Sequence, residues 1–446
     1  MINSYMEKFS KAAKAAGIEK LKFYFEEQVS RDVSFYEGEL ENLERAEGKQ
    51  LFIEGEVDGY AGSVFVENFD ESLLDTHIRC IKESAESCKA AFVPYELTGL
   101  SQTAAAEYRF EDLQDTLDKM RQAEQTARNS DTRIQSGVQL HMSEMYRKVL
   151  LADEKLNSAT DLTLHGHANV YLVAKDADQV QPGGKGYHFH AGNMPDLSQM
   201  AKEASESAVS RLGAGSYTTG NYPVVLDSYV VGELLDAFMS AFFARNVHSR
   251  MSVLAGKVGQ QIAGENISIL EDPRLPGGFS GRSFDDEGVP TQAKAIIRDG
   301  VLNCFLHNRQ SAAQEGSASG GNGFKLNFNE LVATGYTNVY IPAGDKTREQ
   351  LLKEMRNGLL ITGVSGVFAG ARPNSGDFSL ISNGYRVEQG KITQAVTQIT
   401  IAGNFFDMLK NVADVGNDEN WKCTHVGCVR TPSLYVRSLA ISGEEK

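Results

Sequence analysis

The chain has no excess of basic side chains and no long apolar run. Its 446 residues include 44 Lys and Arg against 59 Asp and Glu, which gives a formal net charge of -15. This sign opposes binding to nucleic-acid phosphates or to an anionic membrane surface. No stretch reaches the roughly 18 apolar residues of a membrane span, and residues 1–17 show an amphipathic helical pattern rather than a signal peptide. We therefore expect a cytoplasmic protein that contacts neither nucleic acid nor membrane.

Cysteine is scarce, and the common hydrolase motifs are missing. The five cysteines are an odd number without a CxxC pair, so the sequence predicts neither a disulfide framework nor a zinc ribbon. No histidine is followed by glutamate, as the usual metallopeptidase helix requires, and neither a GxSxG elbow nor a P-loop occurs. Cys88 continues a helical stripe formed by Ile81 and Ala85, so we expect it in the core.

The first half of the sequence indicates an α+β fold. Residues 1–215 contain two passes of helix, strand-like segments and helix, with a loop near residues 95–109 as a possible subdivision. The helical periods lie at residues 2–16, 69–89, 110–127 and 196–212. This order predicts an N-terminal α+β region in which helices cover antiparallel sheets.

Residues 216–446 contain many short strand-like segments and most of the glycine-rich loops. Asp299-Gly300 and Gln389-Gly390 predict two β-hairpins. The predicted helices are Val231 to Asn246, Lys346 to Arg356 and Phe405 to Val412, the last behind an Asn404 cap. Residues 213–222 are the expected linker. We expect a largely antiparallel, barrel-like β domain to follow it.

Two histidine pairs form a potential metal site. His165 and His167, like His188 and His190, are spaced to present two imidazoles on one face of a strand. Adjacent strands would then assemble a four-nitrogen site. The same histidines also suit a half-exposed strand face without any ligand, and no carboxylate lies in register to orient their rings.

Two polar loops have both a functional and a structural interpretation. The glycine-rich segment 315–323 suits either the close approach of a ligand backbone or a flexible connector. Asp285-Asp286-Glu287-Gly288 suits an acid/base pair or a hard-cation site. Composition favours a solvated turn for this second segment.

Several C-terminal motifs resemble the TldD/PmbA family. The motifs are Phe284-Asp285-Asp286-Glu287-Gly288-Val289-Pro290-Thr291-Gln292, Asp299-Gly300-Val301-Leu302, Leu306-His307-Asn308-Arg309, Gly376-Asp377-Phe378-Ser379, Gly384-Tyr385, Glu388-Gln389-Gly390 and Ile401-Ala402-Gly403-Asn404. They occur in family order over about 220 residues, and the likeness is greater to the PmbA branch, also called TldE and labelled a modulator of DNA gyrase. The resemblance implies a cytoplasmic peptidase built from two related subunits.

The resemblance also implies where a metal site would lie. In the family, the active subunit carries a metal on a His-Glu-x-x-x-His helix, with a further cysteine ligand near its C-terminus. The equivalent helix positions here are Leu235, Asp236 and Ser240, and leucine cannot ligate zinc. Neither Cys423 nor Cys428 matches the spacing of the family's cysteine ligand. We therefore expect no metal ligands and no cofactor in this chain, and a zinc-type metal in a catalytic partner.

These observations lead to one hypothesis and two alternatives. The hypothesis is a PmbA-like, non-catalytic subunit of a metallopeptidase that degrades or trims unfolded peptides and pairs with a TldD-like subunit, with itself, or with both. The peptide would bind as an added strand. The residues expected to face it are Glu287, Gly320, Gly376, Asp377 and Ser379. The alternatives are a non-enzymatic, homodimeric peptide-binding or regulatory protein, and a hydrolase that uses the four strand histidines with a metal.

Overall fold

The structure is a computed structural model that describes residues 2–97, 99–100, 108–325 and 331–443, and its N-terminal part is a helix-covered sheet. The helices of this part are α1 (Ile2–Ala15), α2 (Leu74–Cys88), α3 (Leu113–Ser130) and α4 (Leu197–Ser210). The strands are β1 (Leu21–Tyr36), β2 (Glu39–Val57), β3 (Tyr60–Val66), β4 (Gln139–Asp153), β5 (Ser158–Asp176) and β6 (Gln179–His190). All neighbours in the order β3-β2-β1-β4-β5-β6 are antiparallel. This confirms the predicted N-terminal α+β arrangement, and the β1–β4 pairing joins the two meanders into one sheet.

Alternation along the strands gives this sheet two different faces. Phe23 and Phe25 of β1 are buried against α1 and α2, while Val33 and Phe35 further along are buried against α3 and α4. A strand sends alternate side chains to opposite faces, so the residues between them point away from the helices. We call this second side, which carries Tyr24 of β1 and lies against the C-terminal part, the open face.

The prediction for Cys88 was wrong. Ile78, Ile81 and Ala85 are buried as expected, but Cys88 is exposed. It is the last residue of α2, and Lys89 then adopts a left-handed conformation with φ 47°. The chain turns away at this point, so the helical stripe ends before Cys88 can reach the core.

The C-terminal part is dominated by one large sheet. Its strands are β7 (Gly220–Leu226), β8 (Ile269–Glu271), β9 (Lys294–Arg298), β10 (Val301–Leu302), β11 (Gly323–Phe324), β12 (Ala333–Thr334), β13 (Asn338–Tyr340), β14 (Gly358–Ser365), β15 (Ala371–Arg372), β16 (Asp377–Glu388), β17 (Lys391–Asn404), β18 (Val412–Cys423) and β19 (Cys428–Ser442). The helices are α5 (Ser228–Phe238), α6 (Ala244–His248), α7 (Arg309–Glu315), α8 (Arg348–Met355), α9 (Val367–Gly370) and α10 (Phe405–Lys410).

This sheet is barrel-like, as predicted, but is not closed as a whole. Strand β7 pairs with both β14 and β19, so the sheet curls back on itself. The strands β10-β9-β8-β13 extend outwards from β19, and in the part of the chain that the structure describes β11 pairs only with β12. Most pairings are antiparallel, with parallel exceptions at β7–β14 and β13–β19. The predicted boundary near residue 215 lies between α4 and β7 and stays a prediction.

Local signals in this half predicted some elements better than others. The hairpins at Asp299-Gly300 and Gln389-Gly390 are present, and Asn404 caps α10 by accepting from two backbone amides. The predicted helix from Val231 to Asn246 is interrupted, because α5 ends at Phe238 and a 3₁₀ turn, Met239–Phe242, follows. Within the described residues, no helix is long and apolar enough to cross a membrane.

Candidate functional site

Helix α5 lies in the core of the C-terminal part. Asp227 caps its N-terminus by accepting from the Tyr229 amide at 3.0 Å. Val231, Leu234 and Phe238 are buried around it, as its nearly continuous apolar sequence predicts. The helix therefore has a fixed position, and only its polar residues can take part in chemistry.

The three positions implied by the family resemblance have different surroundings. Leu235 is fully buried in the hydrophobic core. Asp236 accepts a hydrogen bond from the Tyr336 hydroxyl. Ser240 lies beyond the end of α5, where its carbonyl accepts from Asn246 Nδ2 at 2.8 Å. These residues do not fit a metal, because the Leu235 side chain has no donor atom and the remaining two side chains are fewer than the three protein ligands of a catalytic zinc site.

Burial decides the protonation chemistry around Asp236. Burial raises the pKa of the Asp236 carboxyl, while the Tyr336 hydroxyl and the Lys422 charge oppose this rise. Burial also raises the pKa of Tyr336 well above its ordinary value, so the phenol remains a donor. Lys422 Nζ lies 2.7 Å from Glu233 Oε1, one helical turn before Asp236. Asp236, Tyr336, Glu233 and Lys422 therefore form a polar cluster on one side of α5.

The four predicted histidines come together on the open face. His165 lies opposite His190 and His167 lies opposite His188 in the β5–β6 register. The rings of His167 and His188 stack with centroids 4.3 Å apart. Burial, followed by the charges of neighbouring histidines, lowers the pKa of His165 to about 4 and that of His188 to about 3. Both rings are therefore neutral at pH 7.

Aromatic residues of the C-terminal part cover these histidines. Phe279 stacks on His190 with centroids 4.4 Å apart, and Trp421 of β18 meets Phe279 edge to face with centroids 5.4 Å apart. The Lys422 charge also acts on His188. The histidine cluster thus belongs to the contact between the open face and the α5–β18 region. We call this contact the histidine interface.

A buried ionic group continues the contact along the open face. Arg282 Nη2 lies 2.9 Å from Asp286 Oδ1, and Arg282 Nε lies 3.5 Å from Asp161 Oδ2 of β5. Asp285 accepts backbone N–H groups from Glu287, Val289 and Gly323 at 2.8–3.0 Å. The favoured prediction of a solvated turn was wrong here, since Asp285 and Asp286 are almost fully buried. Burial raises the pKa of the Asp285 carboxyl to about 7, backbone amides take the place of water around it, and Arg282 compensates the charge of Asp286.

The predicted substrate-facing residues fall into two groups. Glu287 accepts from the Arg309 amide at 2.6 Å, and burial raises the pKa of its carboxyl. Its neighbouring loop is fixed by Lys294 Nζ, which donates to the Gly320 carbonyl at 2.7 Å. The amide of Asp286 donates to the Gly323 carbonyl at 2.8 Å, so the acidic turn and the glycine-rich loop lie together. The glycine-rich loop therefore packs against the turn, and the connector interpretation does not describe it.

The second group lies at the start of β16. Gly376 has φ +87°, and an added Cβ would lie 2.8 Å from Asn404 Nδ2, so this turn requires glycine. Asp377 accepts from Asn404 Nδ2 at 3.0 Å, and this hydrogen bond lowers the pKa of its carboxyl. Ser379 is exposed on the same strand. Gly376 and Asp377 thus contact Asn404 at the end of β17, whereas Glu287 and Gly320 contact other residues of the segment 285–325. Substrate contact for either group stays a prediction.

A polar cavity of about 970 Å³ lies beside the acidic turn. It is bordered by Gly288, Val289 and Pro290, by the β4–β5 turn and by Arg309.

Within residues 2–97, 99–100, 108–325 and 331–443, no group of three or more His, Cys, Asp or Glu side chains is arranged to hold a metal. The strand histidines are brought together as the sequence predicts, but as two cross-strand pairs, and three of the four rings contact Phe279.

Sequence reasoning missed the residues that reach this region from far along the chain. Tyr336 is 100 positions from Asp236, and Lys422 is 189 positions from Glu233. Phe279 belongs to a proline- and glycine-rich loop without a regular period. The spacing of the histidines was a usable signal, whereas nothing local marks Phe279 as the ring that covers them.

Two family models match most of this chain. Residues 219–443 match the PmbA/TldA metallopeptidase C-terminal domain, and residues 109–212 match the PmbA/TldA metallopeptidase central domain. Among curated relatives, a protein named Metalloprotease from Methanothermobacter thermautotrophicus is 28% identical over 272 residues, which are 59% of this chain and 59% of the relative. Metalloprotease PmbA of Escherichia coli O157:H7 is 30% identical over 279 residues, 61% of this chain and 58% of the relative. The chain thus spans somewhat under two thirds of the length of these relatives.

Solved structures match the whole chain. A Thermotoga maritima protein described as a modulator of a DNA gyrase has a TM-score of 0.87 at 28% identity, covering 99% of this chain and 100% of that protein. TldE from Thermococcus kodakarensis has a TM-score of 0.83 at 18% identity, covering 98% and 100%. At that identity the second likeness shows the fold alone.

Proposed function

The chain belongs to the PmbA/TldD metallopeptidase family, and we propose that within it this protein is a cytoplasmic, non-catalytic subunit that binds unfolded peptides. A TldD-like partner would supply the zinc-type metal and the hydrolytic water. Relatives named after both PmbA and TldD match the chain, which supports its place in this family.

The observation that carries this proposal is which side chains occupy the family's metal-ligand positions on α5, and what they contact. Leu235 occupies the core, and Asp236 is bound to Tyr336. A metallopeptidase must instead present two or three donor side chains towards one ion and leave one position open for water. Restoring such a site here would require changes in the core as well as on the surface, which supports the absence of metal ligands.

Strand β18 is the most suitable place for a peptide to bind as an added strand. Its segment Glu419–Cys423 pairs with β19 on one side, and within the described residues no strand pairs with the other side. An unpaired edge offers backbone donors and acceptors to an extended peptide. Trp421 and Lys422 lie on this segment, so a bound peptide would run beside the histidine interface.

Backbone methylation of the peptide tests this binding mode. An added strand uses every second amide for pairing, so methylating that set should weaken binding by about 10-fold or more through lost hydrogen bonds and steric blockage. Methylating the alternate set is the matched control and should leave affinity within about threefold. Polarisation of a labelled, unstructured peptide measures both affinities. Equal weakening by both sets would contradict strand addition.

The protein's own fluorescence locates the bound peptide. Trp421 is the single tryptophan of the chain. We expect the unmethylated peptide to shift Trp421 emission with the same midpoint as the polarisation curve. Tight binding without any change in emission would place the peptide elsewhere.

A further inference from the structure

The tip of the β18–β19 hairpin carries a disulfide that no part of the proposed function uses. Cys423 ends β18, Cys428 begins β19, and the two residues are direct cross-strand partners. A disulfide joins them, with the Cα atoms 4.1 Å apart. The other cysteines, Cys80, Cys88 and Cys304, are free. One local bridge is not a disulfide framework, but cysteine spacing did not predict it.

The two halves of this bridge are anchored very differently. Cys428 is 3% exposed, its amide donates to the Thr337 carbonyl at 3.1 Å, and β19 also pairs with β13. Cys423 is half-buried, and among the described strands only β19 pairs with β18 over this segment. Breaking the S–S bond would therefore leave Cys428 in place and release the end of β18.

That end of β18 holds the histidine interface together. Trp421 contacts Phe279, which in turn stacks on His190. Lys422 pairs with Glu233 on α5. An unsupported strand end frays easily, because few buried contacts oppose its local opening. Trp421 and Lys422, which make these two contacts, lie within two residues of Cys423. The disulfide that anchors Cys423 therefore also holds them in place.

The turn between the cysteines favours re-formation of the bond. The Thr424 amide donates to the Gly427 carbonyl at 2.9 Å, and Val426 N donates to Thr424 Oγ1 at 3.3 Å. A side chain at Gly427 would lie 2.4 Å from the Tyr336 carbonyl, so the turn fits closely against the segment just before β13. A preformed turn keeps two thiols at high effective concentration, which makes oxidation within the hairpin efficient.

We propose that Cys423 and Cys428 form a reversible thiol–disulfide exchange site that controls the anchoring of β18. A low-molecular-weight thiolate of the glutathione class attacks Sγ of Cys423, the S–S bond breaks, and Cys428 leaves as a thiolate that takes up a proton. A second thiol attacks the mixed disulfide and releases Cys423 as a thiol together with the low-molecular-weight disulfide. Reduction loosens the edge strand, and oxidation by the same disulfide fastens it again. This site adds redox control of the histidine interface, independently of peptide hydrolysis.

Hydrogen–deuterium exchange in glutathione buffers tests the proposal. The full chain is equilibrated at a series of ratios of reduced to oxidised glutathione, and mass spectrometry of the alkylated Cys423–Cys428 peptide gives the oxidised fraction. We expect a reversible two-electron transition. On reduction, amides of Glu419–Cys423 should exchange about 10-fold faster or more, while the β19 amides keep their rates. Acrylamide quenching of Trp421 should increase with the same midpoint.

Serine variants supply the controls. Cys423→Ser should show the fast exchange of the reduced protein in every buffer, whereas Cys88→Ser, which removes an exposed free thiol, should titrate like the wild type. Two results would overturn the proposal. One is a pair that stays reduced at every glutathione ratio, and the other is a pair that titrates without any change in β18 exchange. Neither result depends on peptide binding, so the proposed function is tested separately.

Discussion

Replacing Arg282 with methionine is expected to lower the free energy of unfolding by about 3–5 kcal/mol. Arg282 is buried between Asp286 and Asp161, and its guanidinium lies 5.7 Å from the ring centroids of Phe284 and Phe324. The Asp286 side chain has no solvent exposure. Methionine fills much of the same volume but leaves two buried carboxylates without their cation. Urea unfolding followed by circular dichroism measures the loss.

An exposed ion pair provides the matched control. Arg45 and Glu47 are 2.9 Å apart with both side chains more than half exposed, so Arg45→Met should leave the urea midpoint of unfolding close to that of the wild type. Adding Asp286→Asn to Arg282→Met should recover part of the loss, because one uncompensated charge disappears. A loss below about 1 kcal/mol for Arg282→Met alone would show that water reaches this group and compensates the carboxylates.

Acid should destabilise the protein through the histidine interface. On folding, burial lowers the pKa of His188 from its usual value near 6.5 to about 3 and that of His165 to about 4. The unfolded chain therefore takes up protons first as the pH falls below 6.5. The stability that depends on these two neutral histidines is complete above pH 6.5. It is lost as the pH falls towards their pKa values in the folded protein. Between pH 7 and about pH 4, each histidine accounts for up to about 3 kcal/mol of lost stability.

The histidine contribution can be isolated by comparing pH slopes. His188→Asn should lose less stability than the wild type between pH 7 and about pH 4, by up to about 3 kcal/mol, even if it is less stable at pH 7. His425→Asn is the control, because His425 is exposed and replacing it removes no buried ring. Urea titrations at both pH values give the double difference. Parallel slopes for wild type and His188→Asn would contradict the buried, neutral state of this ring.

Periodicity and turn chemistry predicted the elements whose causes are local. The Asp299-Gly300 and Gln389-Gly390 hairpins depend on residues that tolerate positive φ, and both form as expected. The i,i+2 spacing of the histidines placed them correctly on one strand face. Cys88 shows the limit of this reasoning. Helical phase predicts the face on which a residue lies, but not whether the helix still packs on the sheet at that residue.

The candidate site depends on contacts that no local pattern contains. The histidines were predicted as ligands or surface residues, but Phe279 covers them from a different part of the chain. Asp285 and Asp286 looked solvated because their neighbours in sequence are polar, whereas Arg282 and the glycine-rich loop compensate them in the fold. Family resemblance located α5, yet only the structure shows Tyr336 bound to Asp236.

Metal content and peptidase activity, measured together, decide whether this chain is a non-catalytic subunit. The purified chain is analysed alone and after mixing with a TldD-like protein from the same source, with an unfolded peptide as substrate. We expect the chain alone to hold no stoichiometric metal and to show no hydrolysis, and the mixture to show both. Stoichiometric metal and hydrolysis in the chain alone, abolished by His165→Asn and His188→Asn, would contradict the account and make the strand histidines the catalytic centre.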